Sequence, residues 1–311
     1  MIKLALIYGG KSAEREVSIA GAKGIEQALD KKKYIIKKYD AAKDLPNLVK
    51  DASELDCAFI LLHGKFGEDG TIQGLLDLIG LPYQSSGVLG SAIAMDKHIS
   101  KILYKENGLL TPKWLRFYKD DQINETKILE NLNLPVVVKP CNQGSSVGIT
   151  IVRDITQLNK AITDAFNWDN EVIVEQYIKG REITGGVLGL EELVPLPIVE
   201  IIPGEEFAFF DYKAKYEPGA TKEICPADIP LKLTELAQKT ALAAHKALRL
   251  SIYSRTDMIL TEDEKIYAIE TNTIPGMTPT SLFPQAAKAY GLSFTELLDK
   301  LIDLALKRAK G

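Results

Sequence analysis

Apolar runs that alternate with amphipathic segments predict a parallel sheet in the first third of the chain. IKLALIY ends at Gly9-Gly10, and two further apolar runs follow, YIIKKYD and CAFILL. The intervening SIAGAKGIEQAL and the later TIQGLLDLIG repeat apolar residues at helical spacing. Strands that alternate with helices form βαβ units, whose ligand groups collect at the carboxyl ends of the strands. We therefore expect residues 1–95 to form a Rossmann-like α/β domain.

The rest of the chain continues as an α/β protein with two more units. AMDKHISKILYKENG predicts a helix that leads into residues 96–182, where the predicted strands are WLRFY, PVVVKP, GITIV and EVIVEQYI. Residues 183–311 begin with the strand ITGGVLGL, followed by an irregular stretch (202–230), the helix TELAQKTALAAHKAL, a hairpin and the closing helix SFTELLDKLIDLALKRA. A chain of 311 residues is too long for one small core, so two or three domains are expected.

The hairpin concentrates charged residues on one face. Its predicted strands are SIYSRTDMIL and IYAIETN, joined by the polar turn TEDEK. Because side chains alternate between faces, Arg255 and Asp257 share one face, and so do Glu270 and Asn272. An ion pair on a solvated face would explain these residues, but the flanking positions are apolar, and buried carboxylates need a partner or a metal. We favour a Mg²⁺ site, since hard oxygen ligands suit that ion.

Composition and charge narrow the classes of function. Apolar residues make up 46% of the chain and charged residues 26%, as in an ordinary globular protein. The net charge is −4, so the chain lacks the positive charge that binding to nucleic acid or an anionic membrane requires. The three cysteines are widely spaced and form no CxxC pair, which favours a reducing compartment over a disulfide framework or zinc site. The N-terminal run indicates neither a signal peptide nor a membrane span. We expect a cytoplasmic protein.

Two glycine-containing segments are candidates for phosphate binding, and the sequence excludes one of them. Gly10-Lys11-Ser12 lacks the glycine five positions earlier that a P-loop requires, and no G-x-G-x-x-G follows the first strand. NQGSSVG, residues 142–148, lies between two predicted strands and is longer than a tight hairpin needs. Its glycines allow close approach of backbone N–H groups and its serines add hydroxyl donors, so this loop could cover phosphates.

Several single residues have both a functional and a structural interpretation. Lys139 ends the apolar strand PVVVKP, so it must reach solvent or pair with an anion. Lys97 could equally well be a binding residue or an exposed lysine on the surface. Glu14 lies at the carboxyl end of the first strand, where it could meet a ligand ammonium or simply favour the start of a helix. His63 lies at the end of CAFILL, and we favour ligand contact over a structural role for it. The long segment DYKAKYEPGATKEICP favours a lid.

Taken together, these segments resemble the D-alanine–D-alanine ligases of the ATP-grasp superfamily over essentially the whole chain. The resemblance rests on eight motifs in the same order: GGKSAEREVS, LHGKFGEDGTIQG, MDK, VVKP with NQGSSVG, EQYIKGRE, YKAKY, RTD and ETNTIPGMTPTSLFP. It implies an N-terminal substrate domain (1–95), a central ATP-grasp subdomain (96–182) and a C-terminal catalytic ATP-grasp subdomain (183–311), with ATP between the last two.

The resemblance also implies the nucleotide and metal ligands. The ATP-binding residues would be Lys97, Lys139, Gly144, Ser146, Glu175, Glu182 and Lys215. Glu175 would face the adenine, Glu182 the ribose hydroxyls, and Lys215 would reach the γ-phosphate when the 202–230 segment closes. Asp257, Glu270 and Asn272 would hold two Mg²⁺ ions, with Mn²⁺ as an alternative.

The amino-acid site follows from the same resemblance. Glu14 would bind the ammonium of the first D-alanine and form a hydrogen-bonded set with Ser145 and Tyr216, with His63 nearby. Arg255 and the backbone N–H of Gly276 would form the oxyanion site, and Ser281 would hold the second carboxylate.

The implied activity is ATP-dependent ligation of two D-alanines for peptidoglycan precursors, by a homodimer that binds neither nucleic acid nor membrane. Two alternatives stay open: a ligase that makes a depsipeptide or a mixed dipeptide with D-lactate or D-serine, and a non-catalytic nucleotide- or amino-acid-binding module on the same fold. The chain departs from the family pattern at Thr256 and Met258 beside Asp257, at Ile252, where glycine is common, and at Gly185-Gly186. We expect these departures to affect packing and rate rather than the reaction.

Overall fold

The computed structural model describes residues 1–12, 14–144, 147–204 and 221–310. Within them the strands are β1 (Ile2–Tyr8), β2 (Tyr34–Asp40), β3 (Cys57–Ile60), β4 (Trp114–Tyr118), β5 (Val136–Pro140), β6 (Thr150–Val152), β7 (Glu171–Gln176), β8 (Arg181–Gly189), β9 (Val194–Pro195), β10 (Val199–Pro203), β11 (Thr221–Ile224), β12 (Ile252–Leu260) and β13 (Ile266–Asn272). The α-helices are α1 (Arg15–Ala28), α2 (Leu45–Asp51), α3 (Thr71–Leu78), α4 (Val88–Met95), α5 (Lys97–Glu106), α6 (Glu125–Asn131), α7 (Leu158–Ala165), α8 (Leu231–Ala247), α9 (Leu282–Tyr290) and α10 (Phe294–Arg308).

The N-terminal sheet is parallel, as the alternation of strands and helices predicts, with strand order β2-β1-β3. Its central strand is buried on both faces, and Leu4 to Ile7 are 0% exposed. Beyond β1 the chain turns at Gly9, whose φ is +73° and whose Cβ would lie 2.5 Å from Asp40 Oδ1. Arg15 at the start of α1 donates to both carboxylate oxygens of Asp40, at 2.9 and 2.6 Å. This close packing fixes the turn at the carboxyl edge of the sheet.

The helix predicted over AMDKHISKILYKENG is two helices rather than one. Asp96 separates α4 from α5 with an extended backbone (ψ 104°), and its carboxylate accepts a hydrogen bond from Ile99 N. An aspartate in this role satisfies one of the free N–H groups at a helix start, so capping outweighs the helical pattern here.

The other two sheets are antiparallel and lie to either side of a cleft. The central sheet has the order β4-β7-β5-β6, and the C-terminal sheet has the order β11-β10-β8-β12-β13 with β9 beside β8. The prediction that 202–230 is irregular was wrong in part, because Val199–Pro203 and Thr221–Ile224 pair as antiparallel strands. No helix in the described parts of the chain is both long and apolar enough to cross a membrane.

Two departures from the family pattern have local structural explanations. Gly185 and Gly186 let helices approach both faces of β8, since a Cβ at Gly185 would meet Ala241 Cβ at 2.8 Å and one at Gly186 would meet the Phe283 ring at 3.1 Å. Ile252 is fully buried with φ +66°, a conformation that is costly for a β-branched residue. A glycine there would avoid that strain and lose the packing of the side chain.

Candidate active site

A cleft between the central and C-terminal sheets holds about 950 Å³ of unfilled space, its open mouth included. Apolar side chains from both sheets form most of its walls, including Val137, Ile151 and Met258. Five of the residues predicted to bind nucleotide or metal line the same cleft at polar positions. They are Lys139, Glu175, Glu182, Asp257 and Glu270. An apolar cleft with a few convergent polar groups is typical of a small-molecule site.

The charged hairpin forms as the alternation predicts. β12 and β13 pair antiparallel so that Arg255 lies opposite Asn272 and Asp257 lies opposite Glu270. Arg255 donates from Nε and Nη2 to the two oxygens of Asp257, both at 2.9 Å, and Asn272 Nδ2 donates to Asp257 Oδ2 at 3.1 Å. Asp257 Oδ1 also accepts from Thr184 Oγ1 at 2.7 Å. The aspartate is therefore held rigidly from three sides.

The oxygen donors of the hairpin fit a magnesium ion. The side chains of Asp257 and Glu270 are each 22% exposed, and both line the cleft. Lys97 Nζ lies 3.5 Å from Glu270 Oε2. Burial opposes the charge of Arg255, but Asp257 and Glu270 outweigh burial and raise the pKa of the guanidinium above its usual value. Both carboxylates are partly exposed to the cleft, and their hard oxygens suit Mg²⁺.

A buried chain of hydroxyl groups supports this hairpin from behind. Thr256 Oγ1 and Thr271 Oγ1 are 2.9 Å apart, and Tyr104 OH lies 2.7 Å from the same Thr271 oxygen. Thr256 therefore bonds to the opposite strand, and Thr271 in turn bonds to Tyr104 of α5. Met258 on the other side of Asp257 is 1% exposed, packs in the core beneath α8 and forms part of the cleft wall. Thr256 thus supports the hairpin from behind, whereas Met258 also borders the cleft.

A buried cluster of two lysines and one glutamate lies at the other end of the cleft. Lys139 and Lys101 pair with different oxygens of Glu175, Lys101 Nζ at 2.8 Å. Glu175 is only 2% exposed, so its carboxylate bonds the lysines rather than facing the open cleft. Burial would raise the pKa of Glu175, but the two ammonium charges outweigh it and lower that pKa. Lys101 is a residue that the sequence patterns did not single out.

The predicted phosphate loop is anchored on both sides of its tip. Lys97 Nζ donates to the Gln143 carbonyl at 2.5 Å, and Gln143 Nε2 donates to the Trp168 carbonyl at 2.8 Å. At Gly148, φ is +71° and a Cβ would lie 2.7 Å from the Trp168 ring, so only glycine fits. The Lys97 side chain, which as sequence is equally plausible as surface, is 7% exposed and holds this loop.

A second cavity, which we call the pocket, lies beside the cleft, at the next positions along the same face of the hairpin. Its lining combines the N-terminal domain with the hairpin and the segment after it. The predicted residues there are Glu14, His63, Gly144, Arg255, Asn272, Gly276 and Ser281. The hairpin thus divides the site, with Asp257 and Glu270 facing the cleft and Arg255 and Asn272 facing the pocket.

His63 and Glu68 give the pocket its electrostatic character. His63 is 7% exposed, and its Nδ1 donates to the Ile274 carbonyl at 3.2 Å, which leaves Nε2 as the acceptor. Burial lowers the pKa of His63 although Glu14 opposes this, so the imidazole is neutral at neutral pH. Glu68 accepts from Gly64 N at 2.8 Å and from Ile274 N at 3.2 Å. Burial and the nearby Glu14 raise the pKa of Glu68 to about 8.

Glu68 was not among the predicted site residues, although its position in the sequence indicates a ligand-binding role. The residue lies in GEDG directly after the His63 strand end, where ligand groups of a βαβ domain collect.

Gly276 and Ser281 lie side by side at the rim of the pocket. Ser281 Oγ accepts from Thr278 N at 3.1 Å and is 2.8 Å from Thr278 Oγ1. A Cβ on Gly276 would stand 3.0 Å from Ser281 Oγ. Four predicted residues, Ser145, Ser146, Lys215 and Tyr216, lie outside the described residues.

This chain matches known protein families and relatives over most of its length. Residues 37–86 match the family model described as D-ala D-ala ligase N-terminus, and residues 103–303 match D-ala D-ala ligase C-terminus. A D-alanine–D-alanine ligase of Desulfotalea psychrophila is 53% identical over 311 residues, which cover all of this chain and 97% of that protein.

Two solved structures are similar over nearly the full length. D-alanine–D-alanine ligase from Bacillus anthracis, complexed with ATP, has a TM-score of 0.88 at 38% identity and covers 100% of this chain and 99% of its own. VanG D-Ala:D-Ser ligase from Enterococcus faecalis has a TM-score of 0.83 at 35% identity, with 98% and 99% covered.

Proposed function

Because the chain belongs to the D-alanine–D-alanine ligase family, it is an ATP-dependent ligase that joins two D-alanines for peptidoglycan synthesis, and we propose that it does so through an acyl phosphate formed where the cleft meets the pocket. The observation that carries this proposal is the hairpin that separates the two cavities. Its carboxylates face the cleft and its guanidinium faces the pocket. A γ-phosphate on one side and an amino-acid carboxylate on the other would therefore be within reach of one another.

We assign the nucleotide to the cleft. Lys139 and Lys97 supply positive charge for the phosphates, and the loop around Gly144 covers them through its backbone N–H groups. Glu182 lines the cleft on β8 and binds the ribose hydroxyls. The backbone from Glu175 onward forms the wall that faces the adenine, while the Glu175 carboxylate holds the two lysines.

Asp257, Glu270 and Asn272 would hold the magnesium ions. When bound, Mg²⁺ neutralises charge on the transferring phosphate and keeps the β- and γ-phosphate oxygens in position. The residues fit this role because their oxygens are hard donors on one face of the paired strands.

The chemistry proceeds in two steps. The carboxylate oxygen of the first D-alanine attacks the γ-phosphorus and ADP leaves, which gives an acyl phosphate. The amine nitrogen of the second D-alanine, after losing a proton, attacks the acyl carbon, and the tetrahedral intermediate expels phosphate. Arg255 and the N–H of Gly276 stabilise the oxyanion from the pocket side. Lys215, on the segment that we propose to close over the site, reaches the γ-phosphate, and closure keeps water from the acyl phosphate.

The pocket selects the amino acids by charge. We propose that Glu14 binds the ammonium of the first D-alanine and that Ser281 binds the carboxylate of the second. His63 is neutral, so it can contact the substrate without repelling an ammonium group. Ser145 and Tyr216, which lie outside the described residues, would join Glu14 in the hydrogen-bonded set that the family resemblance implies.

The choice of second substrate is tested by phosphate release with D-alanine, L-alanine, D-serine and D-lactate, each supplied singly and in pairs with D-alanine. We expect release with D-alanine alone and little with L-alanine. Preferred use of D-serine would favour the activity named for the Enterococcus faecalis protein. Preferred use of D-lactate would indicate a depsipeptide ligase, and no release with any pair would indicate a binding module.

We further propose that the enzyme is a cytoplasmic homodimer. The three cysteines are free thiols, which suits a reducing compartment. Light scattering of the purified protein measures the mass directly, and a monomer at assay concentration would overturn the dimer.

A further inference from the structure

Lys101 is the most deeply buried lysine near the cleft, with 1% of its surface exposed. It lies one helical turn after Lys97 on α5. Its ammonium pairs with Glu175 Oε2 at 2.8 Å and donates to Thr111 Oγ1 at 2.9 Å and to the Pro112 carbonyl at 3.2 Å. The same ammonium lies 5.4 Å from the centre of the Trp114 ring. Four fixed contacts hold this charge in one place.

The two lysines that share Glu175 differ in what they can reach. Lys139 lines the cleft, whereas Lys101 is not among the residues that line it. Lys139 is 7% exposed, and its ammonium pairs with the Glu175 carboxylate. The cluster has two positive charges and one negative charge, so one positive charge is in excess. The geometry makes Lys139 the side chain that can turn toward a ligand, because it alone of the two touches the cleft.

A buried carboxylate that loses its only counter-ion is strongly destabilised. If Lys139 alone balanced Glu175, turning Lys139 toward a nucleotide would leave that carboxylate unpaired. With Lys101 fixed behind it, Glu175 stays paired while Lys139 moves. We propose that Lys101 is a positioning residue for nucleotide binding: it is the permanent counter-ion of Glu175 and thereby releases Lys139 to the ligand.

This inference rests on the proposed placement of ATP in the cleft. It predicts a specific pattern of loss, in which removal of the Lys101 charge weakens ATP binding because Lys139 is retained by Glu175. A purely structural role predicts something else. Loss of a packing residue would lower thermal stability and affect ATP, D-alanine and turnover alike, whatever the charge at position 175.

The test compares Lys101→Met, Glu175→Gln and the double variant by direct titration with ATP and by steady-state kinetics. We expect Lys101→Met to raise the ATP dissociation constant and KM at least tenfold, with kcat within about threefold and KM for D-alanine unchanged. Lys101→Arg keeps the charge and should recover most of the affinity. Lys105→Met on the exposed face of the same helix is the matched control and should bind ATP as the wild type does.

The double variant decides between the two roles. If Lys101 acts only through the charge of Glu175, adding Lys101→Met to Glu175→Gln should change ATP affinity by less than threefold. A double variant that binds ATP at least tenfold more weakly than Glu175→Gln overturns the proposal, as does Lys101→Met with wild-type affinity. The double variant leaves no carboxylate unpaired, so it remains informative if Lys101→Met alone does not fold. Wild-type protein that binds no ATP would instead refute the proposed function.

Discussion

The cleft and the pocket lie next to each other along one face of the hairpin and differ in the charged groups that surround them. Toward the cleft the cluster around Glu175 has an excess of lysine, and Lys97 adds a further ammonium near Glu270. The pocket instead brings Glu14 and Glu68 together around a neutral histidine. On the proposed function, the lysines would meet the phosphates of ATP, and Glu14 would meet the ammonium of the amino acid.

The two cavities also differ in how their carboxylates are kept. In the cleft, Asp257 pairs with the Arg255 guanidinium. In the pocket, burial and a neighbouring carboxylate raise the pKa of Glu68 to about 8. Carboxylates are therefore held by an ion pair in one cavity and by burial with a raised pKa in the other.

The largest effect should come from neutralising the cleft side of the hairpin. Glu270→Gln removes a charge that would act through the metal in the transition state, so we expect turnover to fall at least a hundredfold, about 2.7 kcal/mol of barrier. Binding of ATP alone should change much less. Phosphate release and ATP titration measure the two quantities.

Glu262→Gln at the turn of the same hairpin is the control, because that side chain is 90% exposed, and it should keep full activity. Turnover of Glu270→Gln within about tenfold of the wild type, only ~1.4 kcal/mol, would exclude Glu270 as a metal ligand.

A smaller effect, confined to the pocket, is expected for Gly276→Ala. The new Cβ would stand 3.0 Å from Ser281 Oγ, so the serine must shift. We expect KM for D-alanine to rise about tenfold while KM for ATP stays within about twofold, because the change faces the pocket and not the cleft. Gly24→Ala in α1 is the control, since a Cβ there meets nothing within 4 Å. Equal effects on both substrates would show that the two cavities are not independent at this position.

The last effect concerns stability rather than turnover. The folded-state pKa of Glu68 is about 8 against an ordinary 4.5, so the folded protein binds more protons than the unfolded chain between these values. The free energy of unfolding should therefore fall as pH rises from about 5 to 8, with Glu68 contributing at most about 1.4 kcal/mol per pH unit.

Glu68→Gln should flatten this dependence, measured by urea unfolding at several pH values. Exposed Glu106→Gln should keep the wild-type slope. An unchanged slope in Glu68→Gln would mean that another group titrates in this range.

The hairpin could be predicted from sequence because its signal is local. Strand alternation places Arg255 and Asp257 on one face, and the short turn fixes which residues of the second strand lie opposite. The parallel N-terminal sheet and the closing helix were confirmed for the same reason. Their strand and helix patterns repeat within ten to fifteen residues, although the parallel pairing itself joins Ile2 to Tyr34 and Leu4 to Cys57.

Lys101 and Glu68 could not be identified in this way because their roles depend on burial by distant segments. Lys101 meets Glu175 across 74 residues of sequence, and Glu68 accepts a hydrogen bond from Ile274 N, 206 residues away. A surface lysine and a buried one look the same in an amphipathic helix. The break at Asp96 was missed for a related reason, since a capping side chain overrides a helical pattern with a single hydrogen bond.

The ion pair between Arg255 and Asp257 has a consequence for how two ligands affect each other's binding. One member lines the pocket and the other lines the cleft, so a ligand in either cavity alters the surroundings of the same pair. The coupling free energy between the two ligands is equal in both directions by thermodynamic linkage. On the proposed placement of ATP and D-alanine, one guanidinium–carboxylate contact would therefore couple nucleotide binding to amino-acid binding.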